Sequence, residues 1–190
     1  MQARFNTPND LSAAAANGYG SLAKSLHWVV FALVLIQFVI AWAMPKIRRD
    51  VVPETLINLH MSLGMLIMAV VLLRMFWRRA HPVAPAAEGV PRWQQLVAGV
   101  THWLLYGLLL VLPILGWAAA ASRDWTIRVF DLVTLPHLVP ARASIGHTAG
   151  DVHVVLSWVL LGLMGLHIAA GLYHYLFLRD RVLQRMLPGS

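Results

Sequence analysis

Four long apolar stretches, separated by short polar ones, dominate the chain. The first runs from about Leu26 to Met44 and ends at Pro45-Lys46. The second runs from about Leu56 to Trp77 and ends at Arg78-Arg79, and the third from about Leu96 to Ala121. The fourth runs from about Val152 to Leu178 and ends at Arg179-Asp180-Arg181. Each is long enough to cross a hydrocarbon layer of about 30 Å, which takes about 20 helical residues. Backbone in contact with lipid must satisfy its own hydrogen bonds, so these stretches read as helices. A membrane β-barrel would instead show alternating strands of about ten residues, and none is visible. Pro113 lies inside the third stretch and should kink it. The expected fold class is all-α: an integral membrane four-helix bundle.

Composition agrees. Of 190 residues, 59% are hydrophobic and only 12% charged, about half the charged fraction of a soluble domain. The formal charge of +7 does not indicate a nucleic-acid partner. Its basic residues flank the apolar stretches, as membrane topology requires, rather than gathering on one polar face. With the N-terminus inside, nine basic residues fall on the cytoplasmic side: Arg4, Lys24, Arg74, Arg78, Arg79, Arg92, Arg179, Arg181 and Arg185. Six fall outside: Lys46, Arg48, Arg49, Arg123, Arg128 and Arg142. Both termini are therefore expected in the cytoplasm. Trp28, Trp42, Trp77, Trp93, Trp103 and Trp117 fall near predicted helix ends, as an aromatic belt would. Residues 1–20 lack a charged segment leading into an apolar core and read as a cytoplasmic tail rather than a cleaved leader. Residues 78–95 form a cytoplasmic link. Residues 122–147 form the longest external connection, part of it on the membrane surface.

No cysteine occurs, which excludes disulfides, iron–sulfur clusters, thiolate-held metals and covalent c-type haem. Nine histidines in so apolar a chain are the chemical signal, because metal-binding and ionisable groups inside a membrane are costly. His153 and His167 are fourteen residues apart. They differ by about 40° around a helix and lie about 21 Å apart along it, so one face presents an imidazole near each side of the bilayer. That arrangement suits two haems stacked across the membrane, each needing one further axial ligand from another helix. His60, near the outer start of the second helix, lies level with His153. His27, near the inner start of the first, lies level with His167. His102, near the inner start of the third, competes with His27, and spacing alone does not choose between them. Two imidazoles fill both axial positions of an iron, which favours electron transfer over oxygen chemistry.

The other histidines carry less. A lone histidine at a membrane interface is more often a polar belt residue than a ligand, and His81, His137 and His147 are read so. His147 lies about 200° from His167 around a continuous helix. His174 follows His167 by seven residues, about 10 Å nearer the cytoplasm on the same face, placed for a propionate, a quinone or the interface. Arg74 is placed equally for a haem propionate or a cytoplasmic flank. Gly64, Gly162, Gly165 and Gly171 would admit a porphyrin or simply a neighbouring helix.

The sequence resembles the bacterial cytochrome b561 family, four-helix di-haem cytochromes of the inner membrane, over about residues 21–188. The matching pieces are Ser25-Leu26-His27-Trp28 and Ile57-Asn58-Leu59-His60-Met61-Ser62-Leu63-Gly64. They continue with His102-Trp103-Leu104-Leu105-Tyr106, Leu112-Pro113-Ile114-Leu115-Gly116, and His153 through Gly165-Leu166-His167 with His174 and Arg185-Met186-Leu187-Pro188. The resemblance implies two b haems with His27, His60, His153 and His167 as axial ligands, choosing His27 over His102. It also implies electron transfer between an external donor and the quinone pool. A related group, the cytochrome b subunits of nickel–iron hydrogenases and formate dehydrogenases, has a similar plan, so a docking subunit of a larger oxidoreductase is the first alternative. A haem-free transporter or structural membrane protein is the second. The external basic residues would attract a small anionic donor such as superoxide, but Asp50, Glu54, Asp124, Asp131 and Asp151 nearly balance them.

Overall fold

The computed structural model describes residues 20–47, 51–81, 90–180 and 182–187. The expected tail, apart from its last residue, lies outside them. So do Arg48, Arg49, Asp50, Arg181, Pro188 and positions 82–89 of the link expected to be cytoplasmic.

Among the described residues, four helices are long and apolar enough to cross a membrane. Helix α1 spans Ser21–Ala43, α2 Thr55–Ala80, α3 Arg92–Ser122 and α4 Ser144–Tyr173. The fold is an all-α membrane four-helix bundle. Its boundaries have local causes. Met44, preceding Pro45, is extended (φ −71°, ψ 153°), because proline disfavours helix in the residue before it. Pro91 caps α3, its carbonyl accepting from the amides of Gln94 and Gln95. Through Pro113, α3 continues as one helix.

The fourth helix differs most from expectation. It begins at Ser144, not near residue 152, which shortens the connection expected to be external and places His147 inside the helix. It continues into one π-turn, His174–Leu178, and stops where Arg179 turns left-handed (φ 51°). A short 3₁₀ turn at Gln184–Met186 then returns beneath the bundle, where the Trp28 indole donates to the Met186 carbonyl at 2.8 Å.

The α3–α4 connection holds a small antiparallel hairpin, β1 (Arg128–Val129) with β2 (Val133–Thr134). Ser62 of α2 pins it, donating to the Arg128 carbonyl at 3.3 Å and accepting from the Phe130 amide at 3.0 Å. The Trp117 indole holds the following segment through the Pro136 carbonyl at 2.9 Å.

Close packing runs α1–α2, α2–α3 and, most extensively, α3–α4, whereas α4 stands off α1 and α2. A small core of Val34, Ile67, Val71, Leu109, Leu112 and Leu160 joins the four helices. Most other apolar side chains face outward; Val39, Leu166 and Phe76 are 62%, 68% and 69% exposed. In water that surface would be prohibitive, but in lipid it is the normal condition.

Candidate functional site

Two histidine levels lie on either side of the apolar core. Val34, Ile67 and Leu160 of that core each follow a histidine by seven residues: His27, His60 and His153 respectively. Seven helical residues are about 10 Å, so the core separates two levels, named outer and inner after the topology expected from the basic residues.

At the outer level, His60 of α2 and His153 of α4 face one another with ring centres 6.2 Å apart and planes at 69°. Nδ1 of His153 donates to the Leu112 carbonyl of α3 at 2.9 Å. This fixes the tautomer and leaves Nε2 as the free ring nitrogen. Next to it, Gly116 lets α3 come close: a Cβ there would sit 3.3 Å from Cε1 of His153. The two rings border a cavity of about 630 Å³, also lined by Gln37, Gly64, Gly116 and Arg123. That volume lies within the range of small-molecule and cofactor sites, about 300–1,000 Å³.

At the inner level, His27 of α1 and His167 of α4 have ring centres 6.3 Å apart and planes at 75°. His102 of α3 stands nearer His167, at 5.2 Å. Arg74 is tied into the bundle here. Its Nε donates to the Tyr106 hydroxyl at 3.0 Å and its Nη1 to the Ala23 carbonyl at 2.7 Å, joining α2 to α3 and α1. Farther toward the chain's end, His174 shares a 2.5 Å hydrogen bond with Asp180, whose other oxygen accepts from the Val182 amide at 3.1 Å.

The geometry can be tested against a bis-imidazole metal site. Two metal–nitrogen bonds of about 2.0–2.1 Å, with about 1.1 Å more from each nitrogen to its ring centre, place the two ring centres about 6.3 Å apart. The His60/His153 and His27/His167 pairs match that span, and His102/His167 falls about 1 Å short of it. The gap between α4 and the α1–α2 pair is the space in which both matching pairs lie.

The remaining histidines are elsewhere. His81 caps α2, its ring stacked on Trp77 at 3.7 Å. His137 lies in the external connection, 3.7 Å from Asp124. His147, expected to be a belt residue, lines the outer cavity. Three features carried no signal in histidine spacing: the Leu112 carbonyl, the Asp180 partner of His174, and Gln37. Gln37 donates from Nε2 to the His60 carbonyl at 2.9 Å. Its signal was that of a single amide within an apolar stretch.

Comparison with known proteins gives the family. A family model described as prokaryotic cytochrome b561 matches residues 18–189. The chain is 30% identical to a protein named probable superoxide oxidase CybB from Yersinia pestis, over 90% of this chain and 96% of that one. It is 27% identical to cytochrome b561 homolog 2 of Escherichia coli strain K12, over 90% and 92%. It is 28% identical to cytochrome b562 of Cereibacter sphaeroides, over 90% and 95%.

Proposed function

The chain belongs to the prokaryotic cytochrome b561 family, a haem b electron-transfer protein crossing a bacterial membrane several times, and from that premise we propose a specific route. Electrons cross the inner membrane through two bis-histidine b haems, between an external donor and the quinone pool. The observation that carries this reading is the near-equal span of two histidine pairs, 6.2 and 6.3 Å, at two depths of one bundle.

His60 and His153 hold the outer haem, and His27 and His167 the inner one. The 5.2 Å separation of His102 from His167 favours His27 as the inner ligand. A haem held by two imidazoles supplies a one-electron couple with no open coordination site. The protein's own residues do the rest. The Leu112 carbonyl orients His153 and raises its basicity. The apolar core between the levels keeps water out of the path. Arg74 places a fixed positive charge at the inner level, suited to a haem propionate. Quinone reduction consumes protons, and the hydrogen-bonded His174–Asp180 pair lies at the inner end. Both termini lie in the cytoplasm, following the basic residues.

The relative named a probable superoxide oxidase makes superoxide the first donor to test. Among described external residues, Lys46, Arg123, Arg128 and Arg142 face Glu54, Asp124, Asp131 and Asp151, and Arg128 is paired with Asp131 at 3.5 Å. Electrostatic steering of an anion is therefore weak, and its rate should change little with ionic strength.

Redox-titrated visible spectroscopy of the purified protein tests the reading. Two low-spin components, each titrating with one electron, are expected. One component, or a high-spin spectrum, would refute the two-site scheme. Quinone reduction by the isolated protein with a small donor is expected; dependence on a co-purifying catalytic partner would favour the docking-subunit alternative.

A further inference from the structure

Gln37 is the one carboxamide inside α1's apolar run, between Ile36 and Phe38. An amide in a membrane helix needs a reason, because burying it without partners is costly. Half of that reason is visible. Nε2 donates to the main-chain carbonyl of His60 across the α1–α2 contact, at 2.9 Å. A carbonyl can only accept, so the amide cannot be flipped, and Oε1 is fixed as the outward acceptor. Gly64, one turn beyond His60, leaves the room: a Cβ there would stand 3.4 Å from Gln37 Nε2.

The other half is a mismatch that resolves within the same residue pair. Gln37 Oε1 is buried without a hydrogen-bond partner, and so is Nδ1 of His60. The main-chain carbonyl of Gln37 also faces the His60 ring, yet Nδ1 reaches no acceptor in normal hydrogen-bond geometry. Its counterpart His153 has one, the Leu112 carbonyl. When His60 coordinates through Nε2, its Nδ1 carries a proton and needs an acceptor. A buried acceptor without a donor and a buried donor without an acceptor lie on two residues already bonded to each other. Both border the outer cavity.

We propose that Gln37 is the positioning residue for the outer haem ligand, its amide holding the His60 turn while Oε1 takes the Nδ1 proton of the coordinated ring. It thus does for His60 what the Leu112 carbonyl does for His153, but with a side chain, so the sequence can tune it. This inference rests on the two-haem reading above.

The test uses the purified full-length protein loaded with haem. Gln37→Leu keeps the volume and removes both hydrogen bonds. The outer haem, identified as the component missing from His60→Ala, should then titrate at a higher potential, because its ligand is less basic. It should also transfer to an excess of an apo-haem protein about 10–100-fold faster. The inner haem's potential and transfer rate should not move. Gln37→Glu, which when protonated offers one donor and one acceptor, should restore retention. If Gln37→Leu does not fold, Gln37→Met repeats the test with a longer, more flexible chain. Unchanged outer-haem potential and retention would overturn the proposal, as would equal shifts in both haems. A wild-type protein without an outer haem would overturn the two-haem reading with it. Wild type with both haems and an indistinguishable Gln37→Leu would overturn this proposal alone.

Discussion

Replacing Gly116 with alanine sets two effects of opposite sign against each other. Within a helix, alanine is favoured over glycine by about 0.8–1.0 kcal/mol, so α3 should become more stable. The new Cβ, however, would stand 3.3 Å from Cε1 and 3.4 Å from Nδ1 of His153, closer than side chains usually pack. The ring must give way by a few tenths of an ångström, and what it surrenders is the 2.9 Å hydrogen bond to the Leu112 carbonyl. A neutral hydrogen bond contributes about 0.5–1.5 kcal/mol, and about 1.4 kcal/mol is a tenfold change in an equilibrium. On the proposed two-haem reading, the outer haem should therefore be held about 2- to 10-fold less tightly, while the fold gains. Gly116→Val adds two more methyl groups and should displace the ring fully. Thermal unfolding and the rate of haem transfer to an apo-acceptor are measured on the same preparation. Alanine should raise the midpoint temperature and speed outer-haem loss, leaving the inner haem's rate alone. If both variants keep the outer haem as well as wild type, the contact does not govern the ligand and the reasoning fails.

His60→Ala or His153→Ala should remove one spectral component, and His27→Ala or His167→Ala the other; His102→Ala should leave both. Loss of a haem in His102→Ala, with both kept in His27→Ala, would reverse the inner assignment. The ring planes stand at 69° and 75° in the two pairs, so ferric protein should give strongly anisotropic low-spin electron paramagnetic resonance signals. Rhombic signals of the kind parallel rings produce would contradict that geometry. Arg74→Met breaks bonds to the Tyr106 hydroxyl and Ala23 carbonyl, each worth about 1.5–3 kcal/mol from a charged donor. It should lower thermal stability more than Tyr106→Phe, which breaks only one; equal losses would mean the Ala23 link contributes nothing.

Much of this arrangement is legible in the chain because two periodicities are explicit there. Runs of about twenty apolar residues mark the spans, and the fourteen-residue interval from His153 to His167 fixes both phase and depth. The start of α4 is hidden because Gly146, His147, Thr148, Gly150 and Asp151 make its first two turns too polar to read as membrane. Those turns pack against the end of α3 and line the outer cavity, contacts no local pattern records. The orientation of His153 was equally invisible, since its partner is a main-chain carbonyl. Histidine spacing does not choose between His27 and His102 as the proposed inner ligand, because both begin a helix at the same depth. Only the ring separations, 6.3 and 5.2 Å, set them apart.

The place of α4 after the other three helices bears on how the protein is made. Each histidine pair joins a residue from the first half of the chain to one on α4. A nascent chain halted before Ser144 carries His27, His60 and His102 without the opposing ring of any pair. Neither site can be completed while the ribosome is still working through the first three helices. On the proposed two-haem reading both become available only once α4 is inserted, so products truncated before it should leave the translocon without cofactor.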